Sequence, residues 1–446
     1  MGHDADTAIS VGIDIGTTSV KAVAATPDGT IVARTRIPHE LRAPDADTFE
    51  HDATAAWVDG VLAAWEAVAA DRRVDAAMVS AMVPSLCGVD DHGRPVTPGL
   101  LYGDARGRTD HAGTAGMGES VGFAAALADQ PGVAALWPAQ AVANHALCGA
   151  GTIDTSTAMT MTPLFTGTGW DTDHLDRIGL TDDQLPDFVV GGTTIGTRDG
   201  AAIGCGTIDA LAEQDVGAAT APGDVMVICG TTLIPWALTT EWIEIDGLWT
   251  IPYSVPGVIA IGGASNAGGL FIDSVRRLTG DPDPNTVLAV DPEKRPVWLP
   301  YIRGERTPFH DPTRRAHLRD VDNSHGPAAV MAAAYDAAAM VVRHHLDLAG
   351  AELAAAGTPP ARIVAAGGGT RSAPWMQSLA DVIGLPVDVS AQPEGAALGA
   401  ARGARIAAGL DVEGDWRAIS HRVEPRPDHV AGAERRYVRF REEVDR

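Results

Sequence analysis

Three turns rich in glycine and hydroxyl side chains, each at the end of an apolar run, are the parts of this chain best suited to hold a phosphate. The first is Asp14-Ile15-Gly16-Thr17-Thr18-Ser19-Val20-Lys21. The run Ile9-Ser10-Val11-Gly12-Ile13 ahead of it reads as a buried strand, and a second apolar run extends from Val20 to Ala25. Thr26-Pro27-Asp28-Gly29-Thr30 then turns into Ile31-Val32-Ala33, so the unit is hairpin-like. Gly16 lets the backbone close on an anion, and Thr17, Thr18 and Ser19 supply hydroxyls and N–H groups. Asp14, at a strand end, is placed to hold Mg²⁺ through water, as magnesium sites commonly do. The same residues would also make an ordinary tight hairpin. The second turn follows Val225-Met226-Val227-Ile228-Cys229, where Gly230-Thr231-Thr232 leads into Leu233-Ile234-Pro235-Trp236-Ala237-Leu238. The third is Gly367-Gly368-Gly369-Thr370, entered from Ile363-Val364-Ala365-Ala366.

Positioning three such turns takes a large framework. The chain has 446 residues, long enough for two domains with full cores, and 45% hydrophobic residues fit a globular protein. The formal charge of −25 argues against nucleic acid or an anionic membrane as a main partner. Lysine occurs only at Lys21 and Lys294, and neither lies in a Gly-Lys-Ser/Thr context, so there is no Walker A loop. Cys87, Cys148, Cys205 and Cys229 are far apart and form no Cys-x-x-Cys pair, which argues against a zinc or disulfide framework. Met1 to Thr7 is polar and acidic, and no 18-residue apolar span appears, so a cytoplasmic location is expected.

Alanine-rich periodic stretches such as Ala53–Ala70 predict helices, and Ala76–Val83 and Leu86–Val89 predict strands, in an α/β alternation. A helix is expected from Asp209 to Thr220. Ala221-Pro222-Gly223-Asp224 breaks it and sets a domain boundary between 1–222 and 223–446. The second half repeats the plan of the first. It has a glycine-rich segment from Gly262 to Gly269, a helix from Leu270 to Leu278, and a long helix from Ala328 to about Ala356 before the triple glycine.

From about residue 9 to 440 the chain resembles the FGGY carbohydrate kinases, most closely their xylulokinase-like branch. Further motifs carry the match: Phe49-Glu50-His51-Asp52 with Trp57, Tyr102-Gly103-Asp104-Ala105-Arg106, and Gly204-Cys205-Gly206-Thr207-Ile208-Asp209-Ala210. Leu299-Pro300-Tyr301-Ile302-Arg303-Gly304-Glu305-Arg306-Thr307-Pro308 follows, then Trp375, Gln377, Ala380-Asp381 and Glu394-Gly395-Ala396-Ala397-Leu398-Gly399-Ala400. The resemblance implies two actin-like (ribonuclease H-like) α/β domains with an interdomain cleft, of the sugar kinase/actin/heat-shock ATPase superfamily. It also implies ATP- and Mg²⁺-dependent phosphorylation of a small sugar or polyol, and homodimers are common among such kinases. Asp209 is then the base, although an Asp opening a helix also serves as an N-cap. Asp14 anchors Mg²⁺ through water. Gly16, Thr17, Thr18, Gly230 and Thr231 lie near the phosphates, Gly368 and Gly369 pack on adenosine, and Asn266 borders the nucleotide. Lys21 is either added charge or a solvated side chain. Asp104 and Arg106 are sugar-side candidates, though such a pair is also a common structural ion pair, and Glu305 with Arg306 looks like an interior ion pair.

The departure from the family lies at Met82-Val83-Pro84-Ser85. Xylulokinases carry a Met-His pair there, and Val83 and Pro84 take that place on the substrate side. Pro84 offers no side-chain hydrogen bond, so a ketose other than xylulose, an alditol or a smaller hydroxylated substrate is expected. The 109–149 region is shorter than the family's sugar-side subdomain. Two rival readings are a catalytically weak sugar-sensing homologue and an actin-like nucleotide switch or ATPase.

Overall fold

The computed structural model describes residues 8–45, 47–108, 118–392 and 394–444. Met1–Thr7 and the first nine residues of the 109–149 region lie outside the described residues; the rest of that region forms helices Glu119–Leu127 and Ala139–Cys148 around a short strand, Ala135–Trp137. The chain divides into two compact units, Met1–Val216 with Ala396–Trp416, and Gly217–Gly395 with Arg417–Arg446. A single cut at 222/223 does not include the return of Ala396–Trp416 to the first unit.

In the first unit the sheet runs in the order Thr194–Arg198, Ala201–Gly204, Val74–Ala81, Ile9–Ile15, Ser19–Ala25, Ile31–Pro38. The last three strands form an antiparallel meander, and Ile9–Ile15 pairs in parallel with Val74–Ala81. Val11, Ile13 and Ile15 are fully buried, as expected of a central strand covered on both faces, and the outer strand Ile31–Pro38 carries Arg34 and Arg36 to solvent. Helix Gly395–Ala407 packs on this sheet so closely that a Cβ on Gly12 would lie 1.8 Å from the Ala397 carbonyl oxygen, and one on Gly399 would lie 1.9 Å from that of Ala212. The small residues of Gly395-Ala396-Ala397-Leu398-Gly399-Ala400 are what allow that approach, and they explain why a late segment returns to the first unit.

The second unit repeats the plan in the order Trp249–Pro252, Ile259–Gly262, Leu233–Thr239, Asp224–Cys229, Arg362–Ala366, Val387–Ser390, Ile419–Val423. Asp224–Cys229 pairs antiparallel with Leu233–Thr239 and parallel with Arg362–Ala366, matching the arrangement around Ile9–Ile15. Helix Pro327–Ala355 crosses its core, and within it Asp336 is buried against Arg295, Arg436 and Ser378. The Glu305 carboxylate is also buried. Its Oε2 accepts the Ser265 hydroxyl at 2.8 Å, and its Oε1 accepts the N–H of Asn266 at 2.9 Å and of Arg306 at 2.7 Å. Glu305 thus binds the main chain of Arg306, while the guanidinium lies 5.4 Å over the Trp249 ring. Burial outweighs these donors and pushes the Glu305 pKa up to about 7.

Two predictions follow from these packing features. Gly12→Ala forces a Cβ onto backbone that cannot retreat and should destabilise the first unit by about 3 kcal/mol or more, read as a lower urea midpoint. A loss of stability under about 0.3 kcal/mol would contradict the packing. For Glu305, the folded pKa exceeds the unfolded one. Its contribution is therefore complete below about pH 4.5 and is lost as pH rises toward 7, at about 1.4 kcal/mol per pH unit. Glu305→Gln, whose amide can donate to the Ser265 hydroxyl, should flatten that slope between pH 5 and 7; an unchanged slope would place the titration elsewhere.

Candidate active site

Asp14 is the second-last residue of the first strand, and the sheet register sets it opposite Lys21 on one neighbour and Ser80 on the other. The Lys21 ammonium lies 3.5 Å from Asp14 Oδ2, and the Ser80 hydroxyl donates to Oδ1 at 3.3 Å. Lys21 therefore pairs with Asp14 while 29% of its side chain stays exposed to solvent. Asp209 opens the helix Asp209–Val216, half-buried, and its Oδ1 accepts the Ala210 N–H at 2.7 Å. One helical turn further, Glu213 is buried, and its Oε1 has no hydrogen-bond partner. Burial first, and then the negative charges of Asp14 and Asp209, push its pKa up to about 8 against the opposing pull of Lys21. Glu213 thus reports that Asp14, Lys21 and Asp209 share one electrostatic neighbourhood.

Sequence reasoning named Asp14 and Asp209 but missed Glu213 and Ser80. The signal for Glu213 was available, a glutamate four residues after Asp209 and hence on the same helical face. Gln140 and Asn144 were missed as well. Spaced by four on helix Ala139–Cys148, both donate their amide N–H to the Cys205 carbonyl at 2.8 Å, which anchors the chain just before Gly206 and Asp209.

Gly16 and Thr17 sit in the tight turn after the first strand, where the Gly16 N–H donates to the Ser19 carbonyl at 3.1 Å. Thr18 is exposed, whereas Thr17 is buried with its hydroxyl 2.9 Å from that of Tyr102. Asp104 is fully buried and accepts from the Phe49 N–H at 2.6 Å and from the main chain and guanidinium of Arg106, which also pairs with Glu50 at 2.7 Å. The Asp104 carboxylate and the Nε and Nη2 groups of Arg106 are engaged within the protein, so the pair fastens the Glu50–His51 strand to the turn after Leu101. Val83 and Pro84 are half-buried and joined by a cis peptide, and the adjacent Ser85 hydroxyl accepts the Ala139 N–H at 3.2 Å.

In the second unit, Gly230 and Thr231 lie half-buried in the equivalent turn, with the Gly230 N–H donating to the Thr232 carbonyl at 3.0 Å. The first N–H groups of helix Gly269–Thr279 hold this turn, Gly269 donating to the Gly230 carbonyl at 2.8 Å and Leu270 to that of Thr231 at 3.1 Å. Asn266 is tied by its side-chain amide to the Gly304 carbonyl at 3.1 Å. Gly368 faces open space, whereas a Cβ on Gly369 would meet Trp375 at 2.5 Å and Cys229 at 2.8 Å. The two glycines therefore differ: Gly369 packs inward, and Gly368 leaves the open face.

Among the described residues, no cluster of three or more His, Cys, Asp or Glu side chains forms a metal cage. A single nearly buried carboxylate, Asp14, nonetheless suits a magnesium-like ion, which keeps most of its waters and shares the rest of its shell with substrate phosphates. No helix among the described residues is long and apolar enough to cross a membrane.

Comparison with known proteins agrees with this geometry. The model for the N-terminal domain of the FGGY family of carbohydrate kinases matches residues 9–121, and that for the C-terminal domain matches 225–408. A xylulose kinase of Streptomyces rubiginosus is 28% identical over 467 residues, covering 93% of this chain and 90% of that protein. Among solved structures, the gluconate kinase from Lactobacillus acidophilus aligns with a TM-score of 0.81 at 18% identity, covering 99% of this chain and 98% of that one. The xylulose kinase from Rhodospirillum rubrum aligns at 0.77 with 23% identity and 98% coverage of each chain. These likenesses carry the fold, two α/β domains of the ribonuclease H-like, actin-like type. With both family domains matched over more than half its length, the chain belongs to the FGGY family of carbohydrate kinases.

Proposed function

We propose that this kinase transfers the γ-phosphoryl group of ATP to a hydroxyl of a small sugar or polyol, with Asp209 as the base for that hydroxyl. The observation that carries this reading is the sheet register, in which Ser80 pairs with Asp14 on one side and with Thr207 on the other, so that Asp209, two residues on, lies at the same end of the sheet as Asp14. Phosphoryl transfer asks the protein for in-line positioning, donors for the phosphate oxygens and a base. Asp209 lies at a helix N-terminus, where the backbone dipole favours the ionised carboxylate, and the Gln140 and Asn144 amides steady the loop that delivers it. From there it takes the hydroxyl proton as the new P–O bond forms. Gly16 and Gly230 shape the two turns by donating to the Ser19 and Thr232 carbonyls. The N–H groups of Thr17 and Thr18 with the Thr18 hydroxyl, and the N–H and hydroxyl of Thr231, bind phosphate oxygens, and the open face at Gly368 receives the adenosine. Asp14 holds a divalent cation through water, on this reading Mg²⁺, which when bound neutralises phosphate charge.

The relatives' names include xylulose and gluconate kinases, so sugar-like acceptors are the class to test. Pro84 stands where xylulokinases place a histidine, and Ser85 is already engaged by Ala139, so this segment offers a sugar hydroxyl less polar contact. The acceptor is therefore another ketose, an alditol or a related polyol rather than xylulose.

Coupled ADP release with Mg-ATP against ketoses, tetruloses, alditols and sugar acids should reveal one strongly preferred acceptor. With that acceptor, Asp209→Ala should lower kcat by about 10²–10⁴-fold while nucleotide affinity stays within about threefold. Near-normal turnover in the variant would remove Asp209 from the base role.

A further inference from the structure

We propose that Trp57, His51 and Tyr102 are positioning residues, which hold Thr17 and through it fix the first phosphate-binding turn. The inference rests on the reading of Gly16 to Thr18 as a phosphate-binding element.

Three separate stretches of chain converge on this one turn. The Trp57 indole, fully buried, donates its Nε1–H to His51 Nδ1 at 3.0 Å. An indole N–H can only donate, so Nδ1 of His51 must present its lone pair. In the neutral ring the remaining proton then sits on Nε2, and that N–H donates to the Thr17 carbonyl at 2.8 Å. Burial, with a smaller push from the neighbouring His39 ring, lowers the His51 pKa to about 4, so the ring stays neutral and the tautomer is determined across the working pH range. The main-chain N–H of His39 takes the next carbonyl, that of Thr18, at 3.1 Å. From the third direction the Tyr102 hydroxyl meets Thr17 Oγ1 at 2.9 Å, buried from solvent.

The consecutive carbonyls of Thr17 and Thr18 are thus drawn back into the protein, and the Thr17 side chain is pinned, while the Thr18 side chain is left exposed. A turn entered through glycine has wide conformational freedom of its own, so these contacts decide how its N–H groups are presented. Holding a reacting group to within about an ångström is worth orders of magnitude in rate. The same geometry explains why two segments distant in sequence, 49–57 and 102–106, accompany the first turn. Asp104 accepts the Phe49 N–H and so joins these two segments to each other, and His51 and Tyr102 then reach Thr17 from them.

The test is a double-variant cycle on binding of a non-hydrolysable ATP analogue with Mg²⁺, measured by calorimetry, with adenosine as the companion ligand. Tyr102→Phe removes one oxygen and should weaken the analogue about five- to tenfold, and it should have no further effect, within twofold, in a Thr17→Val background. Adenosine affinity should not change in either variant, whereas a general loosening of the unit would lower both. His51→Gln keeps an N–H near the Nε2 position and should stay within about threefold of wild type, while His51→Leu should lose more than tenfold. If His51→Leu fails to fold, the Tyr102 and Thr17 cycle decides alone. Unchanged analogue affinity in Tyr102→Phe, or losses that multiply in the double variant, would overturn the inference with the kinase reading intact. A wild-type protein that binds no analogue would overturn both.

Discussion

A carboxylate out of water sets the terms for the first unit. Asp14 lies nearly buried close to the end of the central strand, and burying a charge is costly unless something answers it. Lys21 and Ser80 do so from the two flanking strands, at positions the sheet register dictates. Glu213 adds a second buried acid nearby and responds by holding its proton to about pH 8. The neighbourhood is thus poised with more carboxyl groups than bases, a state that a divalent cation beside phosphates would relieve. Much else in the unit serves to keep this arrangement in place, including the closely packed Gly395–Ala407 helix and the amides that anchor the loop before Asp209.

The second unit repeats the architecture without repeating the charge. Asp14-Ile15-Gly16-Thr17-Thr18 corresponds along the duplicated plan to Ile228-Cys229-Gly230-Thr231-Thr232, so an isoleucine stands where the first unit has its acid. The first turn closes from Gly16 onto Ser19, three residues on, and the second from Gly230 onto Thr232, two residues on, and the two are braced differently. Side chains from segments 49–57 and 102–106 brace the first, whereas the N-terminus of a helix braces the second. Duplication has preserved the strand–glycine turn–strand plan and left the buried acid to one copy.

What the sequence reveals and what it hides follow from this division. Strand–turn–strand patterns such as Ile9–Ala25 and Val225–Leu238 are legible because buried strands and glycine turns have local signatures, and the long helix found at Pro327–Ala355 was expected within one residue at each end. The return of Ala396–Trp416 to the first unit was not legible, since only the facing glycine at position 12 shows why that helix must lie there. The same holds for side-chain purpose. Asp104 and Arg106 could be read in one dimension as sugar-side groups or as an ion pair, and only in three dimensions do their contacts with each other, Glu50 and the Phe49 N–H become visible. His51 and Trp57 could be quoted as a motif, but their service to Thr17 depends on a fold that brings residues 17, 51, 57 and 102 together.

The measurement that bears most directly on the central claim follows the fate of the γ-phosphoryl group. Phosphorus NMR of the wild type with Mg-ATP and its preferred acceptor should show a new sugar or polyol phosphate ester growing in step with ADP, with little inorganic phosphate. In Asp209→Asn, which keeps the shape of the side chain and removes its basicity, the ester signal should be absent on the same timescale. Ester formation at an undiminished rate in that variant, or ATP consumed to inorganic phosphate with no ester from any acceptor, would contradict the account.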